Sequence, residues 1–197
     1  MSQNSSIIVS FMGVDGSGKS TLIELLRKKL KNKFRKIKYI HLRPYLILLD
    51  KSIVQSNPHN SNVTWPILFN FVRILYWLII YRFYFYLFAN NSKQLIIFDR
   101  YAHDLMIDPI RYKFNLPIRV TKFILNLFPK PTHWIVLNAP IKVLEKRKKE
   151  LPTRELKKQI RSYLNFAKQR KNSIVVNTNN SVQSSLSLII KKIESFN

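Results

Sequence analysis

Three glycines, a lysine and a hydroxyl at fixed spacing carry the sharpest chemistry in this sequence. The stretch Gly13-Val14-Asp15-Gly16-Ser17-Gly18-Lys19-Ser20 matches the pattern G-x-x-x-x-G-K-[ST]. A loop of this kind turns its backbone N–H groups onto a chain of phosphates, and the helix that begins within it adds the positive end of its dipole. Lys19 would reach the outer phosphates, the Ser20 hydroxyl would coordinate Mg²⁺, and Ser17 and Thr21 would complete the cradle. Gly13, Gly16 and Gly18 are the only glycines in 197 residues. The chain places glycine only where the backbone must adopt dihedrals that other residues avoid and approach a ligand closely.

Such a loop needs a buried strand before it and a helix after it, and both are legible. Residues 6–12 (SIIVSFM) form an apolar run, β-branched at its start, that ends at Gly13. Residues 20–33 place Leu22, Leu25, Leu26 and Leu30 at helical spacing with basic residues between them. Further strands are expected at 37–41, 95–98, 133–138 and 174–177. Helices are expected at 117–128, from Pro140 through Lys149, at 153–169 and at 181–195, with prolines at several of their ends. Five short apolar strands alternating with helices imply a parallel sheet covered on both faces, an α/β/α sandwich of three layers. No repeat or linker divides residues 1–197, so one domain is expected. The third strand closes on Asp99, which puts an acid at the carboxyl end of a parallel strand, where ligands bind in such sheets. A helix cap is the structural alternative for that aspartate.

Composition bounds the remaining options. Apolar residues make up 46% of the chain and cysteine is absent, which removes disulfides, thiolate metal sites and thiol nucleophiles together. His41, His59, His103 and His133 have no ligand spacing, so zinc is not expected. Residues 1–6 are short and polar and do not read as a secretory leader, so a cytoplasmic location is expected. Residues 63–89 are rich in aromatic and aliphatic side chains, but Arg73 and Arg82 leave an uncharged run of only 74–81. A spanning helix needs roughly 20 apolar residues. A buried or surface-lying helix is the reading, with the two arginines snorkelling. The net charge of +24 has a compositional explanation in the joint excess of Lys, Asn and Ile. Its functional alternative is an anionic partner such as nucleotide phosphates or an acidic membrane face; no specific nucleic acid is expected.

The motifs and their order resemble the thymidylate kinase family. The resemblance is carried by residues 11–21 (FMGVDGSGKST), by Phe98-Asp99-Arg100-Tyr101, which is similar to that family's DRY segment, and by the basic run 145–150 leading to Arg154. It implies a P-loop NTPase fold of the nucleoside monophosphate kinase type, with a five-stranded parallel sheet and a short basic lid over about 146–156. It further implies ATP and Mg²⁺, with Asp99 near the reacting phosphates or the metal and Arg100 holding the acceptor's phosphate beside Tyr101. Asp15 would face the acceptor's sugar, and residues 177–179 would border the adenine. Arg147 and Arg154 would close over the transferred group like arginine fingers, solvated basic helix faces being the alternative.

Two segments depart from the family pattern. Where thymidylate kinases carry an Arg-Glu-Pro-Gly-Gly-type loop, this chain reads His41-Leu42-Arg43-Pro44-Tyr45, leaving Arg43 as the candidate acceptor contact. After the DRY-like segment it runs Ala102 to Tyr112 without the expected Ser and Gln. There Asp104, Asp108 and Arg111 are candidates for a hydroxyl-rich or phosphorylated acceptor, or else pair with local arginines. The pattern also resembles thymidylate-kinase-like proteins associated with bacterial surface-polysaccharide synthesis. The expectation is an ATP-dependent phosphotransferase acting on a nucleoside monophosphate, a sugar or a sugar phosphate rather than strictly on thymidylate. A nucleotide-dependent switch and a basic membrane-surface binder are the alternatives, and a homodimer is allowed for.

Overall fold

The first strand, β1 (Ile7–Met12), is buried at every position and delivers the chain into the glycine loop, within which α1 (Lys19–Leu30) begins. The structure is a computed structural model that describes residues 6–41, 65–89, 93–148 and 151–195. There follow β2 (Lys36–His41), α2 (Ile67–Ala89), β3 (Gln94–Asp99), α3 (Asp104–Ile107) and α4 (Ile118–Leu127). The chain closes with β4 (His133–Asn138), α5 (Ile141–Arg147), α6 (Thr153–Lys168), β5 (Ser173–Asn177) and α7 (Val182–Glu194). Arg43, His59 and residues 149–150 lie outside the described residues.

The five strands make one parallel sheet in the order β2-β3-β1-β4-β5. Side chains alternate across it with period two, so each central strand feeds two cores. Ile7, Val9, Phe11, Leu95, Ile97, Ile135 and Leu137 pack on Leu22, Leu26, Leu186 and Ile189 of α1 and α7. Ile8, Met12, Ile96, Phe98, Trp134 and Val136 face the other way, onto a layer that includes Ile74, Trp77 and Tyr81 of α2 with Ile124, Tyr163 and Phe166. The result is the expected three-layer α/β/α arrangement. β1 lies between β3 and β4, so chain connections leave it in opposite directions and open a crevice at the strands' carboxyl ends.

Each expected strand is present to within one residue at either end. The first helix is shorter than its periodicity suggests. It ends at Leu30, where Lys33 N–H bonds back to the Leu30 carbonyl at 3.0 Å, because the chain must turn to lay Ile37 on the sheet edge. The four-residue helix α3 has no periodic signature and was not expected.

α2 presents a mixed picture. Residues 67–87 are long and apolar enough to cross a membrane by length and composition, and only 22% of that stretch is buried. Ile74, Trp77 and Tyr81 form its inner face, while Leu68, Val72, Ile79, Phe83 and Tyr86 are each more than half exposed. Arg73 donates to Asn70 Oδ1 (2.6 Å) and the Tyr112 carbonyl (2.8 Å), and Arg82 to the Leu127 carbonyl (3.0 Å). Both guanidiniums are thus committed to neighbouring protein groups.

Candidate active site

The glycine loop sits where β1 meets the crevice. A Cβ on Gly13 would lie 2.6 Å from the Leu137 carbonyl oxygen, and its φ of 141° is closed to L side chains. Gly18, at φ 87°, occupies the N-cap of α1 without a side chain to fold over the helix terminus, which leaves the first N–H groups of the helix open to an anion. Lys19 is buried, and its Nζ donates to the carbonyls of Gly13 (2.8 Å) and Val14 (2.9 Å). Burial first, and then the charge of Arg100, lower its pKa to about 7. Ser20 and Thr21 line the same crevice, which encloses about 530 Å³, together with Asp15, Gly16, His41, Asp99, Arg100, Arg111 and Arg147. Ser17 is fully buried and braces the loop through its own N–H, which bonds the Val14 carbonyl at 3.2 Å.

Asp99 ends β3 directly opposite His41 of β2 and Phe11 of β1. Its Oδ2 accepts from Tyr39 OH at 2.9 Å and lies 4.0 Å from His41 Nε2. Its Oδ1 is buried with no hydrogen-bond partner among the described residues. A buried carboxylate oxygen left without a donor is suited to a cation, since a buried polar atom is otherwise costly. With the Ser20 hydroxyl in the same crevice, the donor set is hard oxygen, which fits Mg²⁺. Among the described residues no group of three His, Cys, Asp or Glu could hold a metal.

The opposite wall is an ion-pair cluster. Arg100 has φ 70°, a left-handed conformation that costs a non-glycine residue roughly 1–2 kcal/mol. The turn is held by Arg100 N–H to the Phe11 carbonyl at 2.8 Å. Its guanidinium donates to Asp15 Oδ1, to Asp104 Oδ2 (2.8 Å) and to Tyr163 OH (3.0 Å). Arg111 Nη1 donates to the other oxygen of Asp15. Arg100 is 4% exposed and Arg111 17%, so both charges are paired but the second faces the crevice.

Three expected acceptor contacts fall elsewhere. Tyr101 does not reach the crevice: it is fully buried, packs edge-on against Tyr81 and Trp134, and donates its hydroxyl to the Pro129 carbonyl. The left-handed turn at Arg100 directs the next side chain into the core. Asp104 is also fully buried, accepting from Arg100 and from Tyr163 OH at 3.1 Å. It sits behind Arg100, where it neutralises and orients the guanidinium. Asp108, 3% exposed, lies 4.0 Å from Arg111 and accepts from the Arg111 N–H at 3.4 Å. The local pairing with arginines is the arrangement found.

The basic segment divides in two. Arg147, at the end of α5, donates to the Gly16 carbonyl (3.4 Å) and to the Thr178 carbonyl (3.0 Å), reaching across the mouth of the loop. Lys148 joins it in lining the crevice. Arg154 is exposed in the first turn of α6 and is not part of the lining. At the expected adenine end, Thr178, Asn180, Val182 and Ser185 line the crevice, while Asn177 accepts from the Asn179 N–H at 3.0 Å.

Sequence reasoning missed Tyr39 and Tyr163, and reached Thr178 only as part of the stretch 177–179. Tyr163 carries no local signal, because its partner is 63 residues away. Tyr39 was detectable only once the strand register was known.

This arrangement defines a P-loop phosphotransfer protein: a phosphate cradle, a buried carboxylate and an arginine-rich wall around one crevice. The chain belongs to the thymidylate kinase family, whose model matches residues 11–189, and it is a nucleotide kinase. It is 28% identical over 172 residues to a probable thymidylate kinase 1 of Saccharolobus solfataricus, covering 82% of this chain and 84% of that one. The fold is similar to the thymidylate kinase of Candida albicans, with a TM-score of 0.66 at 16% identity over 98% of this chain and 93% of that one. The thymidylate kinase of Ehrlichia chaffeensis gives 0.60 at 15% identity over 95% and 98%.

Proposed function

We propose that the enzyme transfers the γ-phosphoryl group of ATP to a small acceptor that itself carries a phosphate and a hydroxyl. The observation that carries this reading is the wall opposite the glycine loop, where Arg100 and Arg111 grip the two oxygens of Asp15. Two guanidiniums converging on one carboxylate form a preorganised seat for a phosphate dianion, and the carboxylate so displaced can accept from a sugar hydroxyl. A nucleoside monophosphate or a sugar phosphate fits; an unphosphorylated sugar leaves the arginines facing an uncharged ligand.

In this reading an acceptor phosphate oxygen attacks the γ-phosphorus, the bond to the β–γ bridging oxygen breaks, and ADP leaves with that electron pair. The nucleophile is already anionic, so the protein needs no general base; its task is positioning and charge stabilisation. The loop N–H groups and Lys19 hold the donor phosphates. Mg²⁺, held by Ser20 and Asp99, would supply charge neutralisation on the donor phosphates. Arg147 stabilises the transferred group, and closure of about 146–156 excludes water. We place the enzyme in the cytoplasm, where ATP is abundant.

The test is a screen of monophosphates, thymidylate among them, and of their unphosphorylated parents, following acceptor-dependent ADP release. Turnover with a monophosphate and none with its parent is expected. ATP hydrolysis that is indifferent to acceptor would replace this reading with a nucleotide-dependent switch.

We also propose that the outer stripe of α2 is covered by a second copy of the chain. Leu68, Val72, Ile79, Phe83 and Tyr86 recur at the three- and four-residue spacing of a helix-packing seam. Arg73 and Arg82 are engaged by Asn70, Tyr112 and Leu127 beside it. An apolar stripe whose one exposed neighbouring cation, Arg82, donates to the Leu127 carbonyl suits self-packing about a two-fold axis better than an acidic membrane surface. Light scattering should give a dimer that Ile79→Glu dissociates. A monomer that floats with acidic vesicles would overturn this.

A further inference from the structure

Tyr39 belongs to none of the motifs, yet it makes the side-chain contact that holds Asp99 in place. Its position follows from the register. Tyr39 pairs with Ile97 and His41 with Asp99, so Tyr39, His41 and Asp99 share the sheet face covered by α1. Tyr39 and Asp99 are diagonal neighbours, roughly 7–8 Å apart at the backbone, a gap that a phenol spans and a strand-forming aliphatic does not. The hydroxyl donates to Asp99 Oδ2 at 2.9 Å. On the outer side, the Arg27 guanidinium of α1 lies 5.8 Å from the ring centroid, within cation–π range.

The rest of the environment argues that this contact serves Asp99 rather than packing. Tyr39 is 42% exposed on the edge strand, so its ring contributes little to the core. The terminal torsion of an aspartate is intrinsically loose. With Oδ2 pinned, that looseness is removed, and Oδ1 is the atom left buried and without a partner among the described residues.

We propose that Tyr39 is a positioning residue that locks the Asp99 carboxylate by Oδ2 and so presents Oδ1 to the divalent cation, with Arg27 steadying the ring. The inference rests on the reading of Asp99 as the metal-side carboxylate. It assigns a functional part to an edge-strand residue outside the loop, the DRY-like segment and the lid.

The test is Mn²⁺ binding to the full chain in the presence of ADP, read by electron paramagnetic resonance, for the wild type, Tyr39→Phe, Asp99→Asn and the double variant. Tyr39→Phe should weaken Mn²⁺ by roughly 10-fold, the effect of losing one hydrogen bond to a charged group. ADP affinity in a chelator and thermal stability should stay near wild type, which a merely structural residue would not allow. In the Asp99→Asn background the second substitution should add almost nothing. If Asp99→Asn loses Mn²⁺ while Tyr39→Phe keeps it, Tyr39 has no positioning role and the metal reading stands. If neither weakens Mn²⁺, the metal reading itself fails and takes this proposal with it.

Discussion

Asp104 gives the sharpest separation between two accounts of the acceptor half of the site. By sequence it is a candidate hydroxyl acceptor; in the structure it is fully buried beneath Arg100, holding that guanidinium at 2.8 Å and Tyr163 OH at 3.1 Å. Asp104→Asn keeps the shape and removes the charge. Breaking a buried ion pair by neutralising one partner costs about 3–5 kcal/mol, because the other charge is left uncompensated. Asp15 still pairs with Arg100, so the lower end applies, about 3 kcal/mol. In a domain of this size each kcal/mol moves the melting temperature by roughly 2–4 °C, giving a fall of roughly 6–12 °C. The domain survives that loss, since total stabilities run about 5–15 kcal/mol.

The assay pairs thermal unfolding with steady-state kinetics. The acceptor KM should rise about 10-fold as Arg100 loses its orientation, and the ATP KM should hardly change. In an Arg100→Met background the Asp104 substitution should cost much less, the signature of direct coupling. A raised acceptor KM with an unshifted melting temperature would refute the reasoning and place Asp104 on the acceptor itself.

Nucleotide binding should take up a proton at pH 8 and none at pH 6. Lys19 has a pKa near 7 through burial and regains its proton when phosphate oxygens surround it; calorimetry in buffers of different ionisation heat measures the uptake. Arg147→Ala should lower kcat by about 100-fold, whereas Arg154→Ala, exposed and outside the crevice lining, should change it by less than about 3-fold in the same assay. His103 is held down to about 3, mainly by burial. A depressed base stabilises the fold above its unfolded pKa near 6.5, and that contribution is lost as pH falls toward 3. At pH 5 the loss is about 2 kcal/mol, and His103→Phe should flatten the fall in melting temperature between pH 7 and 5.

The elements that read correctly from sequence are those fixed by local rules. The glycine loop is legible because a φ of 141° with a carbonyl 2.6 Å from the missing Cβ admits one residue type and leaves its mark at a known spacing. The buried strands are legible because both faces are covered and the sequence runs apolar throughout. The residues whose direction the sequence leaves open are those fixed by distant partners. Tyr101 and Asp104 follow Arg100 in a segment with no period. Their directions depend on the left-handed turn at Arg100 and on Tyr163, which is 59 residues from Asp104. Residue type alone cannot distinguish an aspartate facing a ligand from one bracing an arginine.

The same division bears on how specificity can change within this fold. The donor half is built from backbone N–H groups and helix geometry, so substitution there breaks the loop rather than altering its preference. The acceptor half is built from side chains, with Asp15 as the hinge between them. One carboxylate, anchored in the glycine loop, receives Arg100 from the end of β3 and Arg111 from the turn that follows α3. Moving either arginine re-aims the acceptor's phosphate without touching the donor's. Arg111 comes from the stretch 102–112 that departs from the family pattern, so under the proposed acceptor seat that second guanidinium is the place to test acceptor choice. Arg111→Lys keeps the charge and loses the fork, and should therefore reorder the ranking of monophosphates while leaving ADP affinity unchanged. An unaltered ranking would return the specificity to Arg100 and the chain around it.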